Sequence, residues 1–162
     1  MANDGSLIST LEQWFADTLA ALQYGGAAVF RTADVWKHQI AATEGGMEKF
    51  EQFAPFAFVS RRDNDAAREG DNDLRQVLEF AILIGQSNKR PGAARTGDAD
   101  DLGTSKIRDL VIVCFEKTNK HPGGSFACDE IYYTGDIEVL DSRSRHLIQI
   151  TFETSFLGPV PA

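Results

Sequence analysis

Two carboxylates two residues apart, Asp136 and Glu138, form the first pair in the chain that could do chemistry. On a strand they share one face, and paired carboxylates can hold a divalent ion for phosphodiester cleavage. The common nuclease arrangement also places a lysine two residues after the second acid, to steady the developing charge. Leu140 stands at that position, so the signature is incomplete and the plainer reading is a pair of solvent-facing strand acids. Three histidines and two cysteines raise a zinc reading. Structural zinc ligands come in close pairs such as Cys-x2-Cys. His38, Cys114, His121, Cys128 and His146 make no such pair, and no metal or other cofactor is expected. Gly123-Gly124-Ser125 leads into Phe126 and makes no nucleophile elbow. The run from Gly85 to Arg90 imitates a phosphate loop but lacks the second glycine ahead of the lysine. What remains is basic: Arg61-Arg62, Lys89-Arg90 and Arg95. The two pairs lie at the two ends of an apolar run, where they could meet an acidic partner or a phosphate backbone. Asp63, Asp65, Asp98 and Asp100 stand nearby, and solvated loop charge is the plainer reading.

The apolar run between those pairs, Leu74 to Gly85, is the element the others must be placed around. Leu74, Leu78, Phe80, Ile82 and Ile84 fall on one face of a strand, broken only by Gln76. A helical stripe through 74, 77, 78, 81 and 82 fits the same residues. Val77, Phe80, Ile82 and Ile84 are strand formers, which favours a strand. Residues 6 to 23 read as an amphipathic helix with Leu7, Leu11, Trp14, Phe15, Thr18, Leu19 and Leu22 inward, ended by Gly25-Gly26. Val29 to Ile40 is ambiguous, with a short strand at Ala28-Val29-Phe30. Met47 to Phe53 fits a short helix that stops before Pro55. Phe56 to Ser60 reads as a buried strand, followed by a polar surface loop to Asn72. Gln86 to Asp101 is the longest stretch without a packing signal and reads as a mobile surface loop. Leu102 to Lys117 reads as a helix capped by Asp101 or Thr104, although the apolar run from Leu110 to Phe115 would also suit a buried strand. Ile131 to Leu140 and His146 to Phe156 read as an antiparallel hairpin.

Length points to one domain over 1–162, with 1–5 and 158–162 as flexible tails. The net charge of −8 argues against a reader of duplex DNA, which needs a basic surface. Cys114 and Cys128 sit among apolar neighbours, and Met1 to Ser6 lacks the basic and apolar regions of a secretory signal, so a cytoplasmic origin is expected. No apolar run reaches the roughly 18 residues of a membrane span.

The order of these segments carries a resemblance. An amphipathic helix and a glycine break precede the strand Ala54–Val59 (APFAFV) and a long loop. The sided strand 74–85 follows, then the basic loop with Asn88-Lys89-Arg90, a helix, Tyr133-Thr134-Gly135 and the closing strand Leu147–Thr154 (LIQITFET). Over about residues 6 to 156 this resembles the minor tail proteins of Mu-like tailed bacteriophages, a group similar to the phage tail terminator, or tail-completion, proteins. The segment Val29 to Phe53 departs from that pattern in length. The resemblance implies an α+β fold: a mixed, mainly antiparallel sheet with helices packed on one face. It implies a structural protein of the virion tail, made in the bacterial host cytoplasm, and not an enzyme. It implies a ring, taken as a homohexamer, that caps the tail tube, ends its polymerisation and joins tail to head. The expected partners are other copies, the tail tube protein, the head–tail connector protein and DNA passing without specific binding, with no membrane. Arg61, Arg62, Lys89, Arg90 and Arg95, in the loops 61–73 and 86–101, are the residues expected at those contacts. The alternatives are a metal-dependent phosphodiesterase using Asp136 and Glu138, and a monomeric adaptor that binds a host protein.

Overall fold

A computed structural model describes residues 7–40, 49–70, 73–116, 127–128 and 130–159. The segment Leu74 to Gly85 lies inside strand β5 (Asp73–Ser87), the strand on which the sheet is built. On one side β5 pairs with β4 (Phe56–Glu69), and on the other with β8 (Arg145–Pro159), both antiparallel. Beyond β8 lie β6 (Ala127–Cys128) and β7 (Tyr132–Asp141), and beyond β4 lies β3 (Thr32–Val35), which runs parallel to it. The α+β expectation therefore holds: a mixed, mainly antiparallel sheet, of six strands among the described residues, with helices packed on it.

The period-two pattern of β5 decides which face is covered. Leu78, Phe80, Ile82 and Ile84 are fully buried. They lie under α1 (Leu7–Ala20) and α4 (Thr104–Phe115) in one core with Leu11, Phe15, Leu19, Ile107, Val111 and Phe115. Leu11, Phe15 and Leu19 repeat every four residues, which sets them on one side of α1. Phe15 meets Phe80 at 5.0 Å and Phe115 at 4.8 Å between ring centroids, and Phe115 meets Phe152 of β8 at 5.5 Å. The opposite face carries a smaller core at one end only. There Phe56, Phe58 and Leu147 pack against Ile40 and Phe50, the latter on α2 (Phe50–Phe53).

Several expected boundaries move for identifiable reasons. Helix α1 stops at Ala20, and Gly25 and Gly26, with φ of +61° and +83°, make the turn of a small hairpin between β1 (Gln23–Tyr24) and β2 (Ala27–Ala28). A two-residue turn of that kind needs positive φ, which glycine supplies. Residues 61–69, expected in a loop, continue β4. Here the cross-strand ladder sets the conformation, and a shift of register between Arg61 and Asp63 breaks the alternation that would have signalled it. The stretch 86–101, expected to have no packing of its own, does pack. It holds helix α3 (Ala93–Thr96), with Ala93 and Ala94 buried, and is tied to the turn before β8 by Asn88 N–H to Ser144 O at 2.8 Å and Gly92 N–H to Arg143 O at 3.1 Å. The cap of α4 is Gly103, without a side-chain bond, in place of Asp101 or Thr104. A Cβ at Gly103 would overlap the backbone of Arg95 and Gly97, so the close approach of α3 selects glycine there. The hairpin near the end is present as β7 and β8. Gly158 and Pro159, expected in a frayed tail, pair with Leu74 and Asp73. Met47, His121 and the segment 160–162 lie outside the described residues.

Gly85 gives a direct test of this packing. A Cβ at that position would run into the Phe56 ring, itself fully buried between Phe50 and Phe58. Gly85→Ala is expected to destabilise the fold by about 1–3 kcal/mol, the ordinary range for overpacking. Urea unfolding measures this, and adding Phe56→Leu should recover part of the loss, as expected for two residues in contact.

Candidate functional site

Asp136 and Glu138 do share a face of β7, opposite Ile150 and Ile148 of β8. That face is the one covered by helices, so the two acids stand at the margin of the core and do not simply face solvent. Each enters a different network. Asp136 accepts from the Arg108 Nε–H at 2.6 Å and from the Tyr133 hydroxyl. Arg108 also donates to the Tyr133 hydroxyl oxygen at 2.9 Å, and its guanidinium lies 5.5 Å from the Tyr133 ring centroid. Partial burial pushes the Asp136 carboxyl up, but the bonds from Tyr133 and Arg108 and the guanidinium charge outweigh it and hold the carboxyl below its ordinary value.

Glu138 faces the other way along the strand, toward His146. His146 Nε2–H donates to Glu138 Oε2 at 2.9 Å, which leaves Nδ1 to accept from the hydroxyl of Thr104. Hydroxyl, imidazole and carboxylate in a row are the parts of a nucleophilic triad. Here the arrangement cannot act as one, because Thr104 is 0% exposed and no substrate atom can reach its oxygen. What it does is join three elements: the first residue of α4, the start of β8 and the middle of β7. Gln86, also buried, extends the same seam by donating its Nε2–H to Leu102 O at 2.7 Å.

The basic residues are distributed differently from the expectation. Arg61 pairs with Phe80, in the middle of β5 and not at its end. It lies beside Glu12 of α1, whose carboxyl is pushed up by burial against the pull of Arg61. Arg62 reaches the opposite face and donates to Gln149 Oε1 at 3.2 Å. Lys89, Arg90 and Arg95 lie together beyond the end of β5. Arg90 meets Asp98 at 3.4 Å and Arg95 meets Asp141 at 3.9 Å. From Phe80 to Ser87 the strand covers roughly 23 Å, so Arg61 and Arg62 lie apart from this second patch and, on opposite faces, do not make a single first one. Asp98 organises the second patch: its carboxyl is held below the ordinary value by the Asn88 amide first, then by the backbone N–H groups of Asp100 and Asp101 and by Arg90.

No group of three histidine, cysteine, aspartate or glutamate side chains is placed to hold a metal ion among the described residues. Burial pushes the Cys114 thiol up, away from a reactive thiolate. A cleft of about 480 Å³ lies between the β1–β2 hairpin and residues 98–102, lined among others by Tyr24, Phe30, Arg31, Gln86 and Asp100. No helix of the described residues is long and apolar enough to cross a membrane. Thr104, Arg108, Tyr133 and His146 are the residues of these networks that the sequence reading did not bring together. The signal available was His146 at the head of an apolar strand, a position where a buried ring needs two partners. No protein-family model matches the chain, and no curated protein matches it.

Two outcomes follow from these networks. Thr104→Val keeps the shape but leaves His146 Nδ1 without its donor, and should cost about 1–3 kcal/mol in urea unfolding, while Thr104→Ser stays near wild type. The depressed Asp136 carboxyl contributes stability that is complete above the ordinary carboxylate range near ~3.9 and is lost as pH falls through its lower folded value. Arg108→Gln should therefore lower the urea midpoint at pH 7, with a gap to wild type that narrows as pH drops below about 4.

Proposed function

We propose that this chain is a structural protein of a phage tail, which assembles as a ring, caps the tail tube, ends its polymerisation and joins tail to head. The observation that carries this reading is the shape of the central ladder. Strands β4, β5 and β8 run side by side for 14 or 15 residues each. The fully buried row on β5 ends at Leu78, and β4 beyond it presents exposed Ala66, Ala67 and Arg68. A ladder whose β4 strand runs on past the buried row of β5 suits contact with neighbours better than it suits chemistry. The segment order that resembles the minor tail proteins of Mu-like phages supports the same reading, as does the helix-covered antiparallel sheet which that resemblance implies.

Arg61 and Arg62, on opposite faces of the sheet, stand apart from the group Lys89, Arg90 and Arg95, and basic surface at separate places fits a head-to-tail ring, in which one patch meets a different patch on the next copy. In this proposal those residues serve contacts between copies or with the tail tube protein and the head–tail connector. Six copies of a chain at −8 make an acidic ring, and like charge keeps passing DNA from adhering. Asp136 and Glu138 serve the fold, bound into the Arg108 and His146 networks.

Light scattering tests the assembly. A mass near six times the 17.8 kDa of one chain is expected, either free or after tail tubes are added. A strict monomer under both conditions would sink the ring.

A further inference from the structure

We propose that Lys89, Arg90 and Arg143, beyond one end of β5, dock onto Glu79 and Glu153 on the uncovered sheet face of the next copy. This deepens the ring reading, on which it rests, by assigning both sides of the contact between copies.

The acceptor is a row of like charge. Glu79 of β5 and Glu153 of β8 stand directly opposite each other in the ladder, and Asp63 is the β4 residue paired with Glu79. Phe80 and Phe152 face the helices, so Glu79 and Glu153, one position away on each strand, face the other side. The smaller core on that side reaches Phe58 and Leu83 but not this row. Like charges directly opposite one another destabilise a sheet. Among the described residues no hydrogen bond or ion pair relieves either carboxylate, and Arg62, on the same face, donates instead to Gln149 Oε1. The row is unfavourable in one chain and becomes favourable against a cation from outside. Beside Glu153 lies a cleft of about 430 Å³, lined among others by Val77, Glu130 and Tyr132. It offers a long basic side chain apolar surface for its stem and carboxylates for its head.

The donor is a like-charged group of the opposite sign. The bonds from Asn88 N–H to Ser144 O and from Gly92 N–H to Arg143 O join two turns. They bring Lys89, Arg90 and Arg143, all exposed, to one end of the molecule. Arg90 has Asp98 at 3.4 Å, while Lys89 and Arg143 have no side-chain partner among the described residues. From Glu79 to Ser87 β5 covers roughly 26 Å, so donor and acceptor do not meet within one chain. Between copies they can, and each copy then uses one surface on each side, the head-to-tail arrangement that a ring needs. Charge also selects a second copy as the occupant. Copies at −8 each repel one another overall, so their contact has to be made where opposite charges meet. This chain carries both halves of such a contact.

The test is charge reversal on each surface, read by light scattering over a concentration series, with the chain alone and with tail tubes added. One variant carries Glu79→Lys and Glu153→Lys, the other Lys89→Glu and Arg143→Glu. Each alone should raise the concentration needed for assembly at least tenfold, because like charges then face each other at every junction. Neither should lower the melting temperature, and the milder pair Glu79→Gln and Glu153→Gln should weaken assembly in the same direction. An equal mixture of the two reversed variants should assemble as wild type does, since every junction again sets opposite signs together. Rings that form unchanged in both variants, or a mixture that fails to assemble, would overturn this contact and leave the ring reading standing. A wild-type chain that stays monomeric under both conditions would sink the ring reading and this contact with it.

Discussion

Phe80 and Phe152 stand opposite each other across the β5–β8 ladder, and Phe15 from α1 and Phe115 from α4 close over them. All four rings are fully buried or nearly so, and each contributes on the order of 1.5–3 kcal/mol by leaving water. This junction ties both long helices to the two central strands at one point. It fixes which face of β5 is inside, and with it the face of every strand paired to β5, because a slip of one residue would turn the whole apolar row outward. The position of β7 relative to α4 follows, and so do the meetings of Arg108 with Asp136 and of Thr104 with His146.

Around that apolar centre, polar side chains close the seams that packing leaves open. Thr104, His146 and Glu138 form a continuous path from the start of α4 to β7. Asn88 and Asp98 hold the turn that leads from β5 into α3 and α4. Arg145 joins β8 to α2 through Glu51 at 2.5 Å, and its guanidinium lies over the Phe50 ring. Among the described residues, these groups of the kinds used in catalysis are engaged in holding elements together.

Much of this was readable from the order of residues, where burial imposes a period. The central strand, helix α1 and the closing strand β8 each show one apolar row against a polar one, and all three are present. The reading failed where something other than burial sets the conformation. Residues 61–69 are strand because β5 supplies a hydrogen-bonding partner, and nothing in their own pattern announces it. Residues 88–103 are ordered by side-chain amides and carboxylates bonding to nearby backbone, which composition alone presents as a polar loop. Asp136 and Glu138 were correctly placed on one face, but their partners come from 28 residues earlier in Arg108 and eight residues later in His146. Distances of that kind are set by the folded topology and leave no local mark.

The central proposal is that this chain acts by occupying the end of a tail tube. The direct measurement is tube elongation: a phage tail tube protein is polymerised with and without this chain, and lengths are read by electron microscopy. The account predicts tubes that stop growing and carry a ring of added density at one end. Tubes that lengthen at the same rate with bare ends, at saturating amounts of this chain, would contradict it.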